Sequence, residues 1–129
     1  MYPQGKHILV IENDTRRRHQ AERLLTGEGF AVTAVSEGFS AVRAAAHWRF
    51  ALVVAALHLP GTLDGVVTLR QLRLRQPWLK ALFVGAAAAR PPWLDPDRED
   101  FIAAPMHRRD LLGCVFELLQ RNGMRTRVG

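Results

Sequence analysis

Five short apolar runs punctuate the chain, and each is followed by a polar break and, in most cases, a segment with helical spacing of its apolar residues. The first run, residues 7–11, ends in the polar cluster Glu12, Asn13, Asp14 and Thr15. That pattern predicts a buried strand turning into a helix capped by Asp14 or Thr15. Ala21, Leu24 and Leu25 mark the inward face of this helix, and Gly27 and Gly29 end it. Residues 30–35 predict a second strand, and Ser36 is the expected cap of a helix running to about Trp48, with Ala41, Val42, Ala45 and Ala46 inward. The third run, 51–57, is apolar throughout, as suits a strand covered on both faces of a parallel sheet. Beyond the turn HLPGTLDG, residues 66–76 predict a helix with Leu69 and Leu72 inward and Arg70, Arg73 and Arg75 outward. Pro77 stops it.

Residues 81–84 predict strand 4. The following segment, 86–100, carries Pro91, Pro92 and Pro96, so its helix is expected to be short or broken. Residues 101–103 predict strand 5, and Leu111, Leu112, Val115, Leu118 and Leu119 trace an amphipathic last helix ended by Gly123. The expected domain is 1–123, with 124–129 as a basic tail. Strand and helix alternating with short connections require parallel pairing and right-handed crossovers. The expected architecture is a three-layer α/β/α sandwich around a five-stranded, flavodoxin-like parallel sheet of order 2-1-3-4-5. Ligands of such sheets lie outside the carboxyl ends of strands 1 and 3, which here means Glu12, Asn13, Asp14, Ala56 and His58.

Composition narrows this picture without redirecting it. The 129 residues fit one domain, and 48% hydrophobic content suffices for a core. The longest apolar runs, 50–57 and 81–89, are about half of the roughly 20 residues that span a bilayer, so no membrane partner is expected. Acidic residues follow the first apolar run too closely for a secretory leader. With Cys114 as the lone cysteine, a reducing, cytoplasmic setting is expected. The net charge of +6 is almost wholly arginine, but the arginines are dispersed and no helix-turn-helix or RNA-binding signature accompanies them. Dispersed arginine reads as solvated surface, so nucleic acid is not the expected partner. His7, His19, His47 and His107 lack metal-ligand spacing.

The pieces ILVIEND, LLTGEGFAVTAVSEGFSAVRAA, LVVAALHLPGTLDG and FIAAP, in this order and spacing, resemble the receiver domain of two-component response regulators over nearly the whole chain. The resemblance implies phosphoryl transfer to an aspartate supported by a divalent metal. It implies an acidic pair after strand 1, an accepting aspartate ending strand 3, a hydroxyl residue ending strand 4 and a lysine before a proline after strand 5. Position by position, the acidic pair falls on Glu12 and Asn13, the acceptor on Ala56, the hydroxyl residue on Gly85 and the lysine on Ala104. Only Glu12 keeps its chemistry. Alanine has no oxygen to attack phosphorus, and magnesium wants about six oxygens. A degenerate pseudo-receiver is therefore expected, with no catalytic residue, no enzymatic activity and weak or absent magnesium binding.

Two neighbours are candidate substitutes for the acceptor. His58 stands two residues beyond Ala56, and Asp64 follows Pro60 and Gly61 in a loop one residue longer than the family's usual turn. A polar loop histidine and a solvent-facing aspartate are the simpler readings. Phe101 matches the strand-5 aromatic whose rotamer reports the state of the pocket in the family; core packing is its other role. Ala104-Pro105 matches a position where the family often has a cis peptide, and the sequence leaves the isomer open. The function expected is a phosphorylation-independent interaction module that docks a kinase, regulator or output domain on the face of Trp93, Phe101, Arg108 and Arg109. The alternatives are an atypical phospho-accepting receiver using His58 or Asp64, and an arginine-driven nucleic-acid-binding regulator. Homodimer formation stays open.

Overall fold

Every strand pairing among the described residues is parallel, as the alternation of short apolar runs and helical segments requires. A computed structural model describes residues 6–121. The elements are β1 (His7–Ile11), α1 (Thr15–Thr26), β2 (Ala31–Val35), α2 (Gly38–Ala45), β3 (Leu52–Ala56), α3 (Gly65–Arg75), β4 (Lys80–Gly85), β5 (Glu99–Ala103) and α4 (Arg108–Gln120). The sheet order is β2-β1-β3-β4-β5, the order expected. Alternate strand residues feed two apolar layers. Ile8, Val10, Val54 and Leu82 pack against α1 and α4, whereas Leu9, Val53, Ala55 and Phe83 pack against α2 and α3. The result is an α/β/α sandwich. Among the described residues no helix is long and apolar enough to cross a membrane.

The first helix starts as its sequence dictates. Asp14 Oδ1 accepts the Arg17 N–H at 2.9 Å, and the left-handed φ of Gly29 turns the chain into β2. The second helix departs from expectation. Its N-cap is Glu37, without a side-chain cap bond, rather than Ser36, and it ends at Ala45, leaving Ala46 exposed. The early stop has a clear cause in Gln76, a buried residue at the end of α3. Gln76 Nε2 donates to Ala45 O at 3.1 Å and Trp48 O at 2.7 Å, while its Oε1 accepts the Phe50 N–H at 2.8 Å. These bonds satisfy carbonyls at the helix terminus and steer the chain into β3.

Two glycines set the spacing of this layer. A Cβ on Gly38 would collide with Leu63 and Thr68, and one on Gly65 would fall against the Ala56 carbonyl and 3.1 Å from Leu57 Cα. The start of α3 can therefore approach the end of β3 only because residue 65 lacks a side chain.

Arg73 also departs from its expected outward position. Its guanidinium meets Glu99 at 2.6 Å and donates to Leu79 O, with side-chain exposures of 17% and 8% for the pair, so α3 is tied to the entry into β4 and to the edge strand β5. The helix expected between β4 and β5 is reduced to one 3-10 turn, Ala87–Ala89, because the prolines that follow cannot continue it. The last helix is described to Gln120, so the expected stop at Gly123, the domain limit there and the tail 124–129 lie outside the described residues.

Candidate functional site

At the carboxyl ends of β1, β3 and β4 the structure brings Glu12, Ala56 and Gly85 to one edge of the sheet, as the spacing of the motifs predicts. Glu12 is anchored by its backbone, which donates to Val35 O at 3.0 Å, and its side chain is 12% exposed. Both carboxylate oxygens are engaged. Oε2 accepts the Asp14 N–H at 2.8 Å, Oε1 accepts Arg17 Nε at 3.1 Å, and Arg17 Nη2 reaches Oε2 at 3.5 Å. Arg18 adds a second arm, donating to the carbonyls of Glu12 at 2.9 Å and Asn13 at 3.2 Å. Hydrogen bonding to the Glu12 carboxylate raises the Arg17 guanidinium further above its usual range. The backbone N–H of Arg17 and nearby arginine charge hold the Asp14 carboxyl below its usual value.

Beneath this fork lies a void of about 10 Å³, bounded by Arg17, Val54, Ala56, Val84 and Met106 besides Glu12. That volume accommodates a single water at most. Its walls are apolar except for Glu12 and Arg17. Met106, buried after the cis Ala104-Pro105 bond, supplies a wall where the family motif would place a lysine nearby. Ala104 itself is exposed, and its N–H donates to Gly85 O at 2.8 Å. Gly85 is closed by its neighbours, since a Cβ there would lie 3.0 Å from Leu57 Cδ1 and 3.4 Å from Phe101 Cε1.

A magnesium ion, which the resemblance implies, needs about six oxygens in near-octahedral array. The residues present do not fit it. Glu12 is already held by an arginine, Ala56 has a methyl group, and Asn13 is exposed. Among the described residues no group of three or more His, Cys, Asp or Glu side chains could hold a metal ion.

The two candidate substitutes stand away from this void, in the hollow formed with Leu57, Val66, Arg90 and Trp93. His58 is exposed there. Asp64 is the N-cap of α3, its Oδ1 accepting the Val67 N–H at 2.9 Å. Trp93 is 51% exposed and sets its edge against the buried Phe83 ring at 5.7 Å. Phe101 is buried in the core under Arg90, whose guanidinium sits 5.6 Å from the ring and donates to Phe101 O at 3.3 Å. Arg108 is not brought into this cluster. It pairs with Glu28 at 3.4 Å, in the turn after α1, and Arg109 is exposed on the first turn of α4. Phe101 belongs to the layer that packs against α2 and α3, and Arg108 opens α4, whose buried residues belong to the other layer.

Sequence reasoning missed Arg17, Arg90 and Met106. The run Arg16, Arg17, Arg18 carried a signal, because cations in the first turn oppose the helix macrodipole. For Arg17 the explanation is a carboxylate within reach, that of Glu12, and for Arg18 it is the backbone carbonyls of Glu12 and Asn13.

The family model of the response regulator receiver domain matches residues 8–116. The chain is 29% identical over 123 residues to the uncharacterized transcriptional regulatory protein YkoG of Bacillus subtilis, covering 93% of this chain and 54% of that protein. It is 31% identical over 120 residues to the transcriptional regulatory protein TcrA of Mycobacterium tuberculosis, covering 91% and 47%. The chain therefore spans about half the length of the curated relatives it matches. Among solved structures, a response regulator receiver protein from Sinorhizobium medicae superposes with a TM-score of 0.79 at 27% identity, over 91% of this chain and 97% of that one. The sheet order, the edge that gathers Glu12, Ala56 and Gly85, and these matches converge, and the chain belongs to the response regulator receiver domain family of two-component systems.

Proposed function

We propose that this receiver is a pseudo-receiver, working without a phosphoryl group as a protein-interaction module of a two-component system. The observation that carries the reading is the Arg17 fork on Glu12 above the Ala56 methyl group. Phosphoryl transfer to a receiver needs a carboxylate nucleophile and a cation to neutralise the phosphoryl oxygens. Here the position of the nucleophile is alanine, and the remaining carboxylate is neutralised from within the chain. The void between them has room for a water, not for a phosphoryl group. The scaffold keeps its sheet and both helical layers while the reactive groups are replaced, which supports a role in holding a surface.

That surface is the hollow of Leu57, Arg90, Pro92 and Trp93, left uncovered because a single 3-10 turn replaces the helix between β4 and β5. Exposed tryptophan and arginine beside apolar walls are the residue types that dominate binding energies at protein interfaces. A kinase, a regulator or an output domain in the cytoplasm is the class of partner that fits. Incubation with acetyl phosphate and magnesium, read by intact mass under non-acidic conditions, is expected to leave the protein unmodified. A phosphorylated species would overturn the reading, and its loss in His58→Ala or Asp64→Ala would transfer the acceptor role to that residue.

A further inference from the structure

The opposite end of the sheet carries a surface that the receiver reading does not use. Lys6 and His7 open β1, Arg49, Phe50 and Ala51 precede β3, and Trp78 precedes β4. Trp48 is 57% exposed and Trp78 39% exposed, although indole rings in contact with water are costly to keep on an isolated surface. Both are held in place. The Trp78 Nε1–H donates to Phe50 O at 2.9 Å, the Arg49 guanidinium stacks 3.8 Å from its ring, and Trp48 meets the edge of His7 at 5.4 Å. Arg49 and Trp78 form the shared ridge between two shallow hollows. One is completed by His47, Trp48, Arg75 and Gln76, the other by Lys6, His7 and Phe50, and among the described residues neither is lined by a carboxylate.

We infer that this ridge is a docking site for an acidic segment of a protein partner, one carrying apolar residues among its carboxylates. Charge complementarity decides the occupant. Lys6, Arg49 and Arg75 surround two indoles without a lining acid among the described residues, and a guanidinium stacked on tryptophan keeps its N–H edge available to a carboxylate. Among the described residues the positive field is short. Toward β5 the next arginines are neutralised, Arg73 by Glu99 at 2.6 Å, Arg98 by Asp95 at 3.5 Å and Arg121 by Asp100 at 3.3 Å. A nucleic-acid strand is held by a charged groove that tracks its backbone over several phosphates, and among the described residues no such track continues. Like charge disfavours a second copy of this chain as occupant, each copy carrying a net charge of +6. The site lies at the end of the sheet remote from Glu12 and Ala56, so it stands whether or not the chain can be phosphorylated.

The test uses a short fluorescein-labelled peptide of alternating aspartate and leucine, titrated with the full chain at low salt and read by anisotropy and by tryptophan fluorescence. Saturable binding that weakens with added salt is expected. The double variant Arg49→Glu, Arg75→Glu should bind at least about tenfold more weakly, a loss ordinary for hot-spot arginines. The charge-matched variant Arg16→Glu, Arg23→Glu, altered on α1, should bind nearly as the parent does. Thermal unfolding confirms that each variant folds, and Trp48→Ala, which leaves the Arg49–Trp78 stack intact, reads the same surface without a charge change. Absence of peptide binding, an equal loss in the charge-matched variant, or unchanged binding by both the double variant and Trp48→Ala would overturn the proposal. So would tighter binding of oligothymidylate than of the peptide at the same salt.

Discussion

Arg17, Glu12 and Ala56 read as three unrelated letters along the chain and as one device in the fold. Ala56, Gly85 and Ala104 were legible from sequence because they occupy backbone positions set by motif spacing, at the carboxyl ends of predicted strands. Arg17 was not, because a long side chain on an adjoining helix reaches a site that periodicity assigns to other residues. Met106 was hidden for a related reason, its burial depending on how the chain passes Pro105 rather than on any pattern around it. Cys114, legible only as a lone cysteine, gains a definite chemistry from its surroundings. Burial pushes its thiol up to about 11, helped by the negative charges of Asp100, Glu117 and Asp110. The thiolate is the reactive form, so alkylation by iodoacetamide at about pH 8 should run roughly a hundredfold slower than that of free cysteine. Mass-resolved time courses beside glutathione measure this, and matched rates would contradict it.

At the scale of elements, the close approach between β3 and α3 makes the sharpest demand. Gly65→Ala forces a Cβ against the Ala56 carbonyl, and relief requires the start of α3 to move. The expected cost is about 1–3 kcal/mol of stability, the range of overpacked interiors, despite alanine's better helix propensity. Urea unfolding monitored by circular dichroism gives the value, and a midpoint equal to the parent's would show that α3 can retreat freely. The strands and most helices were legible because apolar runs and helical spacing report burial directly. The limits of α2 were not, since Gln76, far away in sequence, satisfies its terminal carbonyl and decides where it stops. Arg73 was assigned outward by periodicity, yet its arm bends back to Leu79 and Glu99, an arrangement visible only once β4 and β5 are beside α3.

For the molecule as a whole, the two ends of the sheet have opposite character, a plugged carboxylate at one and an aromatic, basic ridge at the other. His7 links the second end to global stability. Its Nε2 lies 2.8 Å from Thr33 Oγ1, its ring meets Phe50 at 4.7 Å, and burial holds its pKa below the ordinary value. A histidine whose pKa is depressed in the folded state binds more protons when unfolded, so stability is full above the unfolded value and falls as pH drops below it. Urea midpoints should therefore be lower at about pH 5.5 than at about pH 7.5, with a smaller difference in His7→Gln. An undiminished difference in that variant would place the acid sensitivity elsewhere.

The arginine fork over Glu12 has one more implication. A counterion borne on the same polypeptide has an effective concentration set by the turn that carries it, independent of dilution, chelators or the cell's supply of divalent ions. An ordinary receiver can be loaded and emptied within a fixed population of molecules. On the reading proposed above, this one is not loaded at all, and the quantity that its partners sense is how many copies are present.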